Sequence, residues 1–426
     1  MLKPRTAPLI SPLLGLVAAL SMVACEPTSS LAPESTAATT SAHSSAVVDA
    51  ALNTTVTAGT RTLLETAFAA GSALPTDPHS KTRSRLQAEC VAASVALGLA
   101  DLAEAQAAQI DDWRRGVALA DIAVLRVQQG RADAAEALLV AAGKLAATPT
   151  LFTQDWQRER VLAAVARVRL LQGHAEESAK LTAGLEPDGR ASTLATRAAT
   201  AQDAALQTLL ADIGASLAST QFDSIRHALE ALTQLFGSPR TSAALKAQVE
   251  AYVRTACAKM PMRVRVETLT TLATAACASG DKATGLRLLQ EAHTLFAPAR
   301  LLPQDSLPLL AVLASARHKV GDAAAAQAEI DAALKMYRNE RARITDIERA
   351  DALRSLAEAM AAMGRSEQAL QTWRMALEEG VINPNGRPRA EDLVATCCSM
   401  AVHGAAPDAA LLALIARFQK GLVAPW

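Results

Sequence analysis

Six cysteines and seven histidines are the residues of this chain best equipped for nucleophilic or metal chemistry. Cys25 ends an apolar run and opens a polar tail, in the stretch SMVACEPTSS. A thiol placed there is suited to carrying an acyl group. The other cysteines, Cys90, Cys257, Cys277, Cys397 and Cys398, form no CxxC pair, and the histidines are scattered. Neither set has the spacing of zinc ligands. The chain also lacks a glycine-rich phosphate loop, an HExxH helix and a nucleophile elbow. We therefore assign no catalytic residue, no metal ligand and no cofactor, and expect a protein that is not an enzyme. Cys90, Cys277 and Cys397 occupy columns filled elsewhere by alanine or branched apolar residues, so small buried thiols are expected.

One polar column has more to offer. Arg83, Arg115, Arg158, Arg265, Arg349 and Arg389 each precede a glycine by fifteen residues, and Ser306 takes that place in the remaining copy. Guanidiniums at one repeated position permit two chemistries. Each clamps the joint between neighbouring units, or together they form a ladder for an acidic or carboxylate-bearing partner. A cation at a helix start opposes the helix dipole and needs compensation. Asp111, Asp155 and Glu348 lie within four residues of three of the arginines. The clamp is the expected role, with Arg115, Arg158, Arg265, Arg349 and Arg389 kept as candidates for partner binding.

These glycines define the elements that position the arginines. Gly98, Gly130, Gly173, Gly280, Gly321, Gly364 and Gly404 recur, at 40 to 43 residues from Gly280 onward. Eleven residues before them stand Leu119, Leu162, Leu269, Leu310, Leu353 and Leu393. Seven before stand Ala123, Ala166, Ala273, Ala314 and Ala357, then Cys397; five after come Ala135, Ser178, Gly285, Ala326, Ala369 and Ala409. Positions −11, −8, −7 and −4 share one helical face, so each copy opens with an amphipathic helix. The glycine ends that helix, and a second follows with small residues where helices cross closely. Each hairpin is apolar on more than one side and must stack on neighbours. The predicted fold class is all-α, a superhelical array of antiparallel helix hairpins.

These columns resemble the tetratricopeptide repeat, with Leu where that motif opens on Trp and with longer repeats. The resemblance covers residues 81–421 and implies roughly seven to eight repeats. Residues 186–262 are irregular, with a degenerate copy turning near Thr220-Gln221 and an extra helix around Thr241–Lys259. The resemblance also implies that the first helices line the concave face, with Ala120, Asp121 and Val124 there in one copy and Thr270, Thr271 and Thr274 in another. Arg160, Arg167 and Arg354 are the strong donors expected on that face and join the candidates for partner binding.

The N-terminus carries Lys3 and Arg5, an apolar stretch from Leu13 to Leu20, then Met22-Val23-Ala24-Cys25. Its apolar core is too short to span a bilayer, which takes about 20 residues. The segment resembles a bacterial lipoprotein signal, with Met22 where Leu is usual. That resemblance implies diacylglycerol on the Cys25 thiol, cleavage before it and acylation, such as palmitate, of the new amine. Ala19-Leu20-Ser21 also fits an ordinary signal-peptidase site, which releases a soluble protein. The tail EPTSSLAPESTAATTSAHSSA reads as a flexible tether. The expected organisation is a signal peptide at 1–24, a lipidated Cys25 and tether at 25–46, a leading helix and loop at 47–80, the array at 81–421 and a tail at 422–426.

Lys plus Arg balance Asp plus Glu at 42 each, so no net field draws the chain to nucleic acid. Aromatics make up only 3%, which disfavours sugar binding. The expected function is a non-catalytic scaffold for protein–protein interaction, tethered by lipid to a bacterial envelope membrane with its array in the periplasm. Its partners are envelope proteins or peptides in assembly, export or wall synthesis, with no small-molecule substrate. The alternatives are an enzyme or enzyme subunit whose chemistry does not show in the sequence, or a soluble secreted binding protein.

Overall fold

A computed structural model describes residues 56–201 and 205–426; the expected signal peptide, Cys25 and the expected tether lie outside the described residues. These residues form α-helices joined by short turns, and no strand occurs among them. Nor is any of these helices long and apolar enough to cross a membrane. In chain order the helices are α1 (Ala58–Ser72), α2 (Thr76–Ala96), α3 (Ala100–Ala107), α4 (Arg114–Gln128), α5 (Ala132–Ala146), α6 (Asp155–Leu171) and α7 (Ala175–Thr182). Then follow α8 (Pro187–Ala191), α9 (Leu194–Thr200), α10 (Leu206–Ala218), α11 (Phe222–Gly237), α12 (Ala243–Cys257) and α13 (Met262–Ala278). The chain ends with α14 (Lys282–Phe296), α15 (Pro303–Lys319), α16 (Ala323–Glu340), α17 (Asp346–Ala362), α18 (Ser366–Gly380), α19 (Gly386–Val402) and α20 (Ala409–Lys420).

The turn glycines set the hairpins. All seven have positive φ, from 69° at Gly404 to 96° at Gly321. The amide after each glycine donates to a carbonyl five residues back, as Arg131 does to Arg126 at 2.8 Å and Arg365 to Met360 at 2.9 Å. This left-handed cap satisfies carbonyls that a helix end leaves free, and glycine adopts it without a Cβ penalty. The small residues at five after the glycine are buried, Ala135, Ala326 and Ala369 completely, except Ala409, which is exposed. Gly285 holds that place where a Cβ would lie 2.2 Å from Cys277 Sγ and 2.8 Å from the Ala273 carbonyl oxygen.

First helices pack on first helices in the order α2, α4, α6, α9, α11, α13, α15, α17, α19, and α19 then packs on α2. The array closes into a ring. Successive second helices meet mainly through long side chains, such as Arg254 on α12 and Glu291 on α14 at 2.8 Å. The first helices therefore form the inner layer and the second helices the outer one.

Closure uses the chain's two ends. Helix α1 packs on α19 and α2 in the way a second helix packs on its own first helix and the next. It thus completes the last hairpin, and α20 lies outside α1. One core cluster joins Leu63, Leu64, Phe68 and Cys90 to Trp373, Val394, Cys397 and Met400. An open array leaves an apolar face on each terminal hairpin; here each end covers the other. The tail crosses the start of α19, where Gly386 N–H donates to the Pro425 carbonyl at 2.6 Å.

The irregular segment differs from its sequence reading. The reversal at Thr220-Gln221 is the joint between two hairpins and not a turn within one, and the extra helix, α12, is the second helix of α11. With α9 as a further short first helix, the inner layer has nine members.

Candidate functional site

The candidate site is the inner face of the ring together with the joints that hold it. Its charged residues pair between first helices, neighbours in two cases and across the short α9 in the third. Arg85 on α2 meets Glu391 on α19 at 3.2 Å, Arg167 on α6 meets Asp121 on α4 at 3.5 Å, and Arg160 on α6 meets Asp223 on α11 at 3.5 Å. Arg160 also stacks over Trp156, 4.9 Å from the ring centroid, and Trp156 meets Trp113 edge to face. Arg354 on α17 pairs with Asp351. Burial opposes its charge, but Asp351, Glu358, Asp392 and Glu89 outweigh that and raise its pKa. Arg160, Arg167 and Arg354 are thus each engaged, and each remains partly open to water.

Two inner carboxyls are perturbed. Burial pushes the Glu89 carboxyl up, opposed by Arg85, whose Nη1 donates to it at 2.6 Å. Burial likewise raises Asp121, opposed by Arg167. Water still reaches 26% of each of these side chains. Partial wetting with strong desolvation is the behaviour of a concavity walled by apolar helices.

Other expected inner residues lie elsewhere. Ala120, Val124 and Thr270 are buried against neighbouring helices. Thr271 and Thr274 remain accessible, with hydroxyls donating to carbonyls of their own helix. One turn before Thr271 on the same helix, Glu267 pairs with Arg263 at 2.8 Å, so α13 also carries accessible charge.

The arginine column sits at the joints. Arg83 donates to the Leu74 carbonyl at 2.9 Å, Arg158 to Ala146 at 3.1 Å, Arg349 to Ile344 at 3.0 Å and Arg389 to Gly421 at 2.8 Å. Each acceptor lies at or just beyond the end of a helix or its terminal turn, where carbonyls lack intrahelical partners. Arg349 also faces Glu379 at 3.8 Å. The Nε atoms of Arg115 and Arg265 are buried with no hydrogen-bond partner.

A second arginine column escaped the sequence reading. Arg126, Arg169 and Arg317 each stand four residues before a turn glycine. Arg126, with 8% of its side chain exposed, reaches Asp101 at 2.5 Å and Glu104 at 2.6 Å. Arg169 grips both oxygens of Glu136, at 2.6 and 2.8 Å. Arg317 meets Glu329 at 3.0 Å and His293 at 2.9 Å. Hydrogen bonds from these guanidiniums hold Asp101 and Glu136 below the usual carboxylate range. The signal was visible as a repeated offset, but in only three copies.

All five cysteines in the described residues are free; Cys90, Cys257 and Cys397 are buried, and burial pushes the Cys257 thiol up to about 11. Among the described residues no group of three His, Cys, Asp or Glu is arranged to hold a metal ion. No protein-family model matches the chain, and no curated protein matches it.

Proposed function

We propose that the chain is a non-catalytic scaffold of a bacterial cell envelope, lipid-anchored at Cys25, whose tetratricopeptide-like hairpins present the inner face to a partner protein or peptide. The observation that carries this reading is the inner face itself. Half-exposed charges of both signs from consecutive first helices lie side by side, so an extended segment with charges of both signs can exchange these pairs for its own. Four of the six arginines of the joint column answer helix-end carbonyls, and this supports the clamp over the recognition ladder. Partner binding then falls to Arg160, Arg167 and Arg354. The envelope location rests on the signal-like segment, on Cys25 and on the tether composition.

The test is site-specific photocrosslinking in intact cells. A crosslinker at Arg160 or Arg354 is expected to capture a discrete partner, while one at exposed Val140 on the outer layer captures none. Equal capture from both positions, or none from either, overturns the inner-face reading. Cys25→Ala is expected to shift the protein out of the membrane fraction or leave it unprocessed; unchanged fractionation and processing overturn the anchor.

A second reading rests on Glu89 and Asp121. A carboxyl raised by burial in a concavity is suited to general acid chemistry. It requires Glu89→Gln or Asp121→Asn to abolish a measurable turnover while the fold survives.

A further inference from the structure

The ring closes at one seam, between α2 and α19, and two thiols meet there. Cys90 and Cys398 are 308 residues apart in the chain, yet their Sγ atoms lie 3.9 Å from each other. Cys90 is fully buried and Cys398 is partly open to water. Cys397 is its immediate neighbour on α19 and points about 100° away around the helix. Cys257 belongs to the separate core of the α9–α15 limb, and Cys277 packs against it.

We propose that Cys90 and Cys398 are a disulfide site, at which a covalent bond locks the ring shut. A sulfur–sulfur bond is about 2.0 Å long, so the two atoms must approach by roughly 2 Å. Rotation about χ1 supplies a movement of that size, because the parent helices already pack on each other.

The oxidant is a disulfide donor, either oxidised glutathione or the oxidised dithiol of a thiol–disulfide oxidoreductase. The more accessible Cys398, as its thiolate, attacks one donor sulfur; the donor bond breaks and one donor thiol leaves. The Cys90 thiolate then attacks the Cys398 sulfur of the mixed disulfide and expels the second donor thiol. The two cysteines lose two protons and two electrons in all, and the donor disulfide gains them. Burial raises the Cys90 thiol well above its ordinary range, so the second exchange is the slow step. Once formed, the bond constrains an unfolded chain otherwise free to open across almost the whole array.

This inference stands on the packing of the seam and does not depend on the envelope reading, since oxidant is added to purified protein. The full chain, purified reduced, is incubated with oxidised glutathione, its remaining thiols are blocked in denaturant, and its peptides are mapped by mass spectrometry. The expected result is a Cys90–Cys398 linked peptide. Faster migration on a non-reducing gel and a thermal midpoint higher by about 5 °C, both reversed by reductant, should accompany it. Cys397→Ser keeps the link, whereas Cys398→Ser and Cys90→Ala each abolish it. Should Cys90→Ala fail to fold, the half-exposed Cys398→Ser decides. A link through Cys397, a glutathione adduct on Cys398 that never resolves, or a folded protein whose thiols all survive oxidation overturns the proposal.

Discussion

The limb from α13 to α19 and the limb from α7 to α12 are built from similar residues and obey different rules. In the first, Gly280, Gly321, Gly364 and Gly404 have φ of 87°, 96°, 76° and 69°, and the hairpins α13–α14, α15–α16 and α17–α18 repeat one pattern. Between Gly173 and Gly280 no glycine has positive φ; α10 ends at Ala218 with Ser219 as its cap, and Ser238–Thr241 carries the next reversal. There burial decides which helices pair. Helix α11 buries Ser224, Ile225, Ala228, Leu229, Ala231, Leu232, Leu235 and Phe236, a stripe too wide for one neighbour. It satisfies that stripe by entering the inner layer between α9 and α13. A turn glycine thus dictates hairpin register locally, and without one the register follows from where apolar surface can be hidden.

Substitutions at matched positions break or sharpen this contrast. The largest effect belongs to the regular limb. Gly285→Ala places a Cβ 2.2 Å from Cys277 Sγ and 2.8 Å from backbone, and should cost about 2–3 kcal/mol in urea unfolding. Cys277→Ala in the same chain should recover part of that loss, and a double variant no better than Gly285→Ala would refute the contact. Arg349→Ala comes next. It removes the bond to the Ile344 carbonyl and leaves Glu379 without one partner, for about 1–2 kcal/mol. Partner capture should fall only as far as folding does; lost capture with an unchanged melting curve would restore the recognition ladder.

The irregular limb should respond with the opposite sign. Gly214 lies inside α10, and a Cβ there meets nothing within 4 Å. Gly214→Ala should stabilise by about 0.5–1 kcal/mol, because alanine loses less backbone freedom on forming a helix. A lower melting midpoint would mean that this limb is as tightly registered as the other.

The smallest effect is the pH dependence of the inner face. Burial raises the Glu89 carboxyl in the folded state, so the folded protein binds its proton more tightly than the unfolded chain does. Stability from this group therefore falls as pH rises from the ordinary carboxylate range through the raised folded value, and is level above it. Glu89→Gln should flatten that part of the profile by less than about 1 kcal/mol, since water reaches a quarter of the side chain. Thermal melts across that range, parent against variant, measure it; a steeper variant profile would contradict the assignment.

Much of the array was legible because its determinants are short-range. The glycine columns and the small residues facing them act within a single hairpin. The joint arginines were legible as a column, and the acceptors of Arg83, Arg158, Arg349 and Arg389 follow from helix ends lying at their joints. Arg126 and Arg169 were harder to see, since their carboxylates come from the preceding second helix, 22 and 33 residues away. Ala120, Val124 and Thr270 were misplaced because helical periodicity separates an apolar stripe from its flank, while in a closed ring the flanks are buried by the adjoining first helices as well.

The sequence by itself determined that the chain is helical, where most first helices stop and which second helix folds back on them. Backbone caps and one-turn side-chain spacings encode these features. Ring closure, the adoption of α1 by α19, the pairing of inner charges and the meeting of Cys90 with Cys398 were decided only in the tertiary structure. Each depends on small rotations accumulated from hairpin to hairpin, and no local pattern of residues records that sum.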